Sequence, residues 1–161
     1  MKEEIKQAIE LRKKSELKQS NKLLMKLVRK FSNDPDVNFQ CAWSFDVLGE
    51  ETKAVPYYEK AIKLGLSGKD LEKAIIGLGS TYRTIGNYEE SKNVFEKGIN
   101  QFPDNRAMQV FYSMTLYNLH EHQAAMKLLL ACLMETTKDS EILSYQKAIE
   151  FYAPRLDQIW D

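Results

Sequence analysis

Apolar residues recur at three- and four-residue spacing along most of the chain, and only short breaks interrupt them. In the strings VLGEETKAVPYYEKAI, TIGNYEESKNVFEKGI and NLHEHQAAMKLLLACL one helical stretch ends, a turn at Gly49, Gly86 or His120 follows, and a second helical stretch begins. Proline and glycine number only four and seven, so the pattern predicts a nearly all-helical chain whose few breakers carry information. The last two turns lie 34 residues apart and the first two 37.

Registering the strings on these turns exposes further recurrence. Seven residues before each turn stands a small side chain, Ala42, Gly79 or Ser113, and four before it a bulky one, Phe45, Tyr82 or Leu116. Five after each turn come Ala54, Ser91 and Ala125, nine after come Tyr58, Phe95 and Leu129, and twelve after come Ala61, Gly98 and Cys132. This is the pattern of a helical hairpin: small residues let two helices approach, large ones fill the space beside them, and glycine ends the first helix in the left-handed conformation. A lone hairpin leaves its apolar face open, so copies must stack.

A 34-residue helix-turn-helix unit with this alternation resembles the tetratricopeptide repeat, best matched over residues 72–105, which close on Phe102-Pro103-Asp104-Asn105. The resemblance implies one all-α domain over 1–161, a right-handed α-solenoid of tetratricopeptide-like repeats with a C-terminal capping helix. Its repeats would span 35–71, 72–105 and 106–138, behind a degenerate repeat over 1–34, with the capping helix and tail over 139–161. Asn38, Ile75 and Gln109 stand where the family usually has tryptophan, and of the aromatics just after the turn only Tyr88 remains.

Projection back from Gly49 by one period puts a turn near Ser15, with Ala8 and Ser20 at small offsets and Leu11, Leu24 and Leu27 at large ones. A hairpin is the preferred reading of this segment, and one unbroken helix over 2–31 is the alternative. Ser32-Asn33-Asp34-Pro35 then stops one element and starts the next. Pro56 predicts either a kink in its helix or a start as late as Thr52 or Lys53. Asp139 is placed to cap a final helix whose stripe Ile142, Tyr145, Ile149 and Tyr152 would cover the last hairpin.

Charge changes this picture locally. Lysine plus arginine equal aspartate plus glutamate at 23 each, so no global field recruits nucleic acid or an anionic membrane. Yet residues 1–30 hold ten basic and four acidic side chains, net +6, which leaves the remainder at −6. No apolar run is long enough for a membrane span, and MKEEIKQAIELRKK lacks the apolar core of a secretory signal, so the expected location is cytoplasmic. Cys41 and Cys132 sit alone in apolar helical contexts and read as small core residues.

Little in the chain invites catalysis or a cofactor. IIGLGSTYRTIGNY places Gly77 and Gly79 as in a dinucleotide loop, but Tyr82 occupies the third glycine's place, and no Gly-Lys-Ser/Thr follows for a P-loop. His120 and His122 lack further metal ligands in sequence reach. The pairs Glu50-Glu51 and Glu89-Glu90 open second helices, where negative charge meets the positive end of the helix dipole. No catalytic, cofactor-binding or metal residue is expected.

The resemblance also implies which positions meet a ligand: the first helices would line a concave groove with residues two, three, six, nine and ten before each turn. These are Phe39, Gln40, Trp43, Asp46 and Val47; Ile76, Gly77, Ser80, Arg83 and Thr84; and Val110, Phe111, Met114, Tyr117 and Asn118, with Lys73 near the mouth. Phe39, Trp43 and Phe111 are expected as apolar anchors, Asp46 and Arg83 as polar selectors, and Gly77 as room for a ligand backbone. A non-catalytic scaffold binding a peptide or helix of a protein partner is the function this implies. The family's chaperone-tail clamp, with lysine, asparagine and arginine at such offsets, is disfavoured because these offsets are mostly apolar. The rival reading is self-assembly into homo-oligomers through the groove or the tail bearing Trp160; nucleic acid would want aromatics among the N-terminal lysines, where only Phe31 stands.

Overall fold

The computed structural model describes all 161 residues. Ten α-helices and no strand form it: α1 (Lys2–Lys13), α2 (Leu17–Lys30), α3 (Pro35–Asp46), α4 (Glu51–Lys63), α5 (Gly68–Thr84), α6 (Tyr88–Gln101), α7 (Arg106–Asn118), α8 (His122–Thr136), α9 (Ser140–Ser144) and α10 (Gln146–Tyr152), then a 3₁₀ turn over Ala153–Arg155. The chain packs as two compact units, Met1–Asn87 and Tyr88–Asp161, divided at the turn that joins α5 to α6.

The four turns share one hydrogen-bond signature. Ser15, Gly49, Gly86 and His120 all have positive φ, between 62° and 84°. At each, the next residue's N–H reaches back five positions: Glu16 to the Leu11 carbonyl at 2.9 Å, Glu50 to Phe45 at 3.0 Å, Asn87 to Tyr82 at 2.8 Å and Glu121 to Leu116 at 2.9 Å. That is the helix-ending motif in which a left-handed residue lets two backbone donors satisfy the last free carbonyls. The turn at Ser15 makes a hairpin of the N-terminal segment, although neither Ser15 nor His120 is a glycine.

Small residues sit where the hairpins are tightest. Ala8 and Ser20 are fully buried, and the Ser20 hydroxyl donates to the Ala8 carbonyl at 2.7 Å. Ala42 and Ala54 are likewise fully buried between α3 and α4. Ala125 and Ser113 are buried at the α7/α8 contact. The residues at the usual tryptophan position act differently. Asn38 donates to the Ser32 and Asp34 carbonyls at 2.9 and 2.7 Å, and Gln109 to the Pro103 carbonyl at 2.8 Å. Each ties its helix to the loop before it, so buried amides replace aromatic bulk with hydrogen bonds.

Two expectations need correction. α4 begins at Glu51 rather than at Thr52 or Lys53, and it runs on through Pro56. Pro56 stands in the second turn, where its ring removes the bond an N–H there would make to the Thr52 carbonyl, and the helix continues past that gap. The single capping helix is two short ones, broken at Tyr145, where φ is −100° and ψ 10°. Asp139 does cap the first of them, its Oδ1 accepting from the Glu141 and Ile142 amides at 3.0 Å.

Candidate functional site

α3 starts on Asp34, whose Oδ1 accepts the Val37 amide at 2.9 Å, with Pro35 in the first turn. This start sets the helix phase, so Phe39, Gln40, Trp43 and Asp46 recur at three- and four-residue spacing along one side. Within the first unit α3 touches α1 on one flank and α5 on the other. Side chains from three first helices therefore share one face.

Arg12 of α1 is the centre of that face. Its Nη2 donates to Gln40 Oε1 at 2.8 Å, and its guanidinium carbon lies 4.1 Å from the centroid of the Trp43 ring. Burial pulls its pKa down, opposed weakly by the field of Tyr58. No carboxylate pairs with Arg12, and its Nη1 is buried without an acceptor. Sequence reasoning missed this residue because it lies in a run of lysines that reads as a solvated face. The signal was its register: Arg12 stands three before Ser15, the same offset as Asp46, Arg83 and Tyr117.

The other predicted residues divide by depth. Phe39 is 1 % exposed, with ring centroids 5.6 Å from Trp43 and 6.3 Å from Tyr58. It is a core residue supporting Trp43 from below, which corrects its assignment as an anchor. Gln40 is buried on Arg12, and Trp43 is half-buried. Asp46 accepts the Tyr58 hydroxyl at 3.0 Å. Burial raises its pKa, and the Tyr58 hydrogen bond pulls it part of the way back.

Gly77 does not hold open room for a ligand. A Cβ there would stand 2.5 Å from Tyr58 Cζ and Oη, so the Tyr58 phenol already fills the space, and the expectation is corrected accordingly. Ile76, Ser80 and Arg83 are half-buried on α5, while exposed Lys73 pairs with Asp70 at 3.2 Å.

In the second unit, Asn105 caps α7 by accepting the Met108 amide at 2.9 Å. Ser113 and Thr115 turn inward, where the Thr115 and Ser91 hydroxyls meet at 2.8 Å. Val110 and Phe111 are half-buried, whereas Met114 and Tyr117 are 40 % and 63 % exposed. The Tyr117 ring lies 5.0 Å from that of His122, which itself lies 5.6 Å from His120. No group of three or more His, Cys, Asp or Glu side chains is placed to hold a metal ion. Both cysteines are buried, and desolvation pushes the Cys41 thiol up to about 12, far from a reactive thiolate.

A second apolar feature was not anticipated. Between α8 and the two short helices lies an open cleft of about 630 Å³, lined by Leu130, Leu133, Ile142, Tyr145, Ile149 and Tyr152 among others. The stripe expected to cover α8 instead forms one wall of this cleft.

No helix is long and apolar enough to cross a membrane. No curated protein matches the sequence. Among solved structures, MamA 41-end from Desulfovibrio magneticus RS-1 superposes with a TM-score of 0.75 at 14 % identity, covering 94 % of this chain and 88 % of that one. The MamA RS-1 ArsTM double mutant gives 0.71 at 13 % identity, covering 98 % and 96 %. At such identities the likeness is one of fold. The family model described as tetratrico peptide repeat matches residues 35–156, and with the recurring turns and small-residue contacts this shows that the chain belongs to the tetratricopeptide repeat family.

Proposed function

We propose that the protein is a non-catalytic scaffold whose α1/α3/α5 face, in the first unit, binds an extended or helical segment of a protein partner. The observation that carries this is Trp43: a half-buried indole, backed by Phe39 and clamped by Arg12, is a rigid amphipathic platform of the kind that dominates binding energy. Asp46, Ile76, Ser80 and Arg83 would supply the surrounding contacts, with Lys73 at the edge. Val110, Phe111, Met114 and Tyr117 form a second set in the other unit, where Met114 and Tyr117 are already exposed.

Selection of binders from a random peptide library, followed by affinity measurement on wild type and Trp43→Ala, tests this reading. Peptides that lose about tenfold or more on Trp43→Ala support it. A library that yields only peptides indifferent to Trp43 overturns it.

One observation favours a second reading, association with another copy of the chain. Large exposed apolar side chains concentrate at the α8–α10 end, among them Leu133, Tyr145 and Tyr152 lining the cleft, Leu129 on α8, and Ile159 and Trp160 in the tail. Contiguous apolar surface of this kind marks interaction sites. Sedimentation velocity of the full chain, of Leu133→Glu and of a chain truncated after Ala153 decides it. An oligomer dispersed by either change supports self-association, and a monomer throughout removes it.

A further inference from the structure

The second helix carries cations that the chain itself does not neutralise. No acidic residue stands between Glu16 and Asp34, and in that interval α2 bears Lys18, Lys22, Lys26, Arg29 and Lys30. The first four stand at i, i+4, i+8 and i+11. At 3.6 residues per turn they fall within about 80° of the helix circumference and along about 16 Å of its axis. The buried residues of α2, Ser20, Leu24, Leu27 and Val28, centre on the opposite side. All four cations are exposed, so they form one row on the outer face.

Elsewhere lysines take local counter-charges. Lys6, Lys13, Lys53 and Lys73 each pair with the carboxylate three positions earlier, at 2.5 to 3.2 Å. No carboxylate stands three or four positions from any member of the α2 row, and none of the four forms an ion pair. Like charges four apart on a helix repel, as Lys18 with Lys22 and Lys22 with Lys26 must. Lys18 also lies in the first turn, where the positive end of the helix dipole disfavours a cation. An anion laid along the row relieves both.

The surroundings select the kind of anion. The row holds no aromatic ring on which a base could stack, and α2 has no large exposed apolar side chain to enter a bilayer. The whole chain is neutral, so a long polyanion gains no general attraction; a segment as short as the row meets only its local charge, across a screening length of about 8 Å. The step from one cation to the next, about 6 Å, is the i,i+4 step of any helix. Carboxylates at that spacing on a helix laid beside α2 would meet the cations one to one.

We propose that the Lys18, Lys22, Lys26 and Arg29 row on α2 docks an acidic helix of a protein partner. It shares no residue with the α1/α3/α5 face and does not rest on that reading.

Fluorescence anisotropy on the full-length protein tests this with a labelled alanine-based helical peptide carrying four glutamates at the row's own spacing. The same peptide with glutamine in their place is the neutral control. At about 20 mM salt the glutamate peptide should bind saturably and at least about tenfold more tightly than the glutamine one, and its affinity should fall as salt rises. No saturable binding up to about 1 mM, or equal binding of the two peptides, overturns the proposal. Duplex DNA or phosphatidylglycerol vesicles that bind more tightly at about 150 mM salt, with the same dependence on Lys22 and Lys26, would assign the row to phosphate and overturn it as well.

Lys18→Gln, Lys22→Gln and Lys26→Gln should each weaken the glutamate peptide about two- to threefold, the scale of an exposed ion pair. Lys97→Gln, exposed on α6, is the charge-matched control and should leave it unchanged. The double variant Lys22→Glu with Lys26→Glu should release the glutamate peptide and take up a lysine peptide of the same spacing. A double variant that keeps its helical circular dichroism yet fails to switch overturns the row as the site. The comparison of the two peptides on wild type needs no variant, so it decides even if a substitution unfolds the chain.

Discussion

The phenol of Tyr58 on α4 occupies the place where a Cβ of residue 77 on α5 would be, 2.5 Å from both Cζ and Oη. The ring has nowhere to go: Tyr58 is 2 % exposed, packs on Phe39 and donates its hydroxyl to Asp46. Gly77→Ala gains about 1 kcal/mol of helix propensity and forces an overpacked contact worth about 1–3 kcal/mol. We expect a net loss of about 1 kcal/mol in urea unfolding. The same substitution in a Tyr58→Leu background should cost nothing, and an equal loss in both backgrounds would show that the contact is not the cause.

Asp46 gives a pH signature. Its carboxyl pKa is raised in the folded state by burial, so the folded protein holds the proton more tightly than the unfolded chain. The associated stability is present at acid pH and is lost as pH rises through the folded-state value. Asp46→Asn keeps an acceptor for Tyr58 and removes the charge. The variant should melt above wild type at pH 7.5 and the gap should close near pH 4; a gap that widens on acidification contradicts the assignment.

Register position alone does not determine the worth of a side chain. Phe95 and Leu129 share the offset nine residues after their turns, yet Phe95 is fully buried and Leu129 is 36 % exposed. Phe95 lies beneath α7, whereas the outer side of α8 meets only α10 and the 3₁₀ turn. Phe95→Ala should cost about 3–5 kcal/mol, and Leu129→Ala less than about 1 kcal/mol. Paired chemical denaturation curves of the two variants check this.

The non-glycine turns store strain. Ser15 and His120 sit at φ 63° and 62°, a conformation that costs an L residue about 1 kcal/mol relative to glycine. Their substitution by glycine should leave stability level or raise it by up to about 1 kcal/mol, after the added freedom of the unfolded chain is counted. Gly49→Ala and Gly86→Ala, at φ 71° and 84°, should each lose about 1 kcal/mol. Melting temperatures of the four variants test the sign at every turn.

Local rules made the repeat readable. A left-handed turn wants glycine, close helices want small residues, and amphipathic helices repeat every third or fourth position, so Gly49, Gly86, Ala42 and Ala54 announced their roles without any tertiary information. Even the Ser15 turn followed from the period. What the sequence could not decide is where a side chain goes once several helices compete for the same space. Phe39 and Gly77 hold ligand-facing offsets, yet Tyr58, arriving from a neighbouring helix, claims the volume between them. Arg12 looks like one more solvated cation until α3 brings Trp43 beneath it. The C-terminal stripe predicts a cap, but whether it closes on α8 depends on the break at Tyr145. Periodicity is a property of one helix; burial and charge pairing belong to the packed set, and only the tertiary structure decided them.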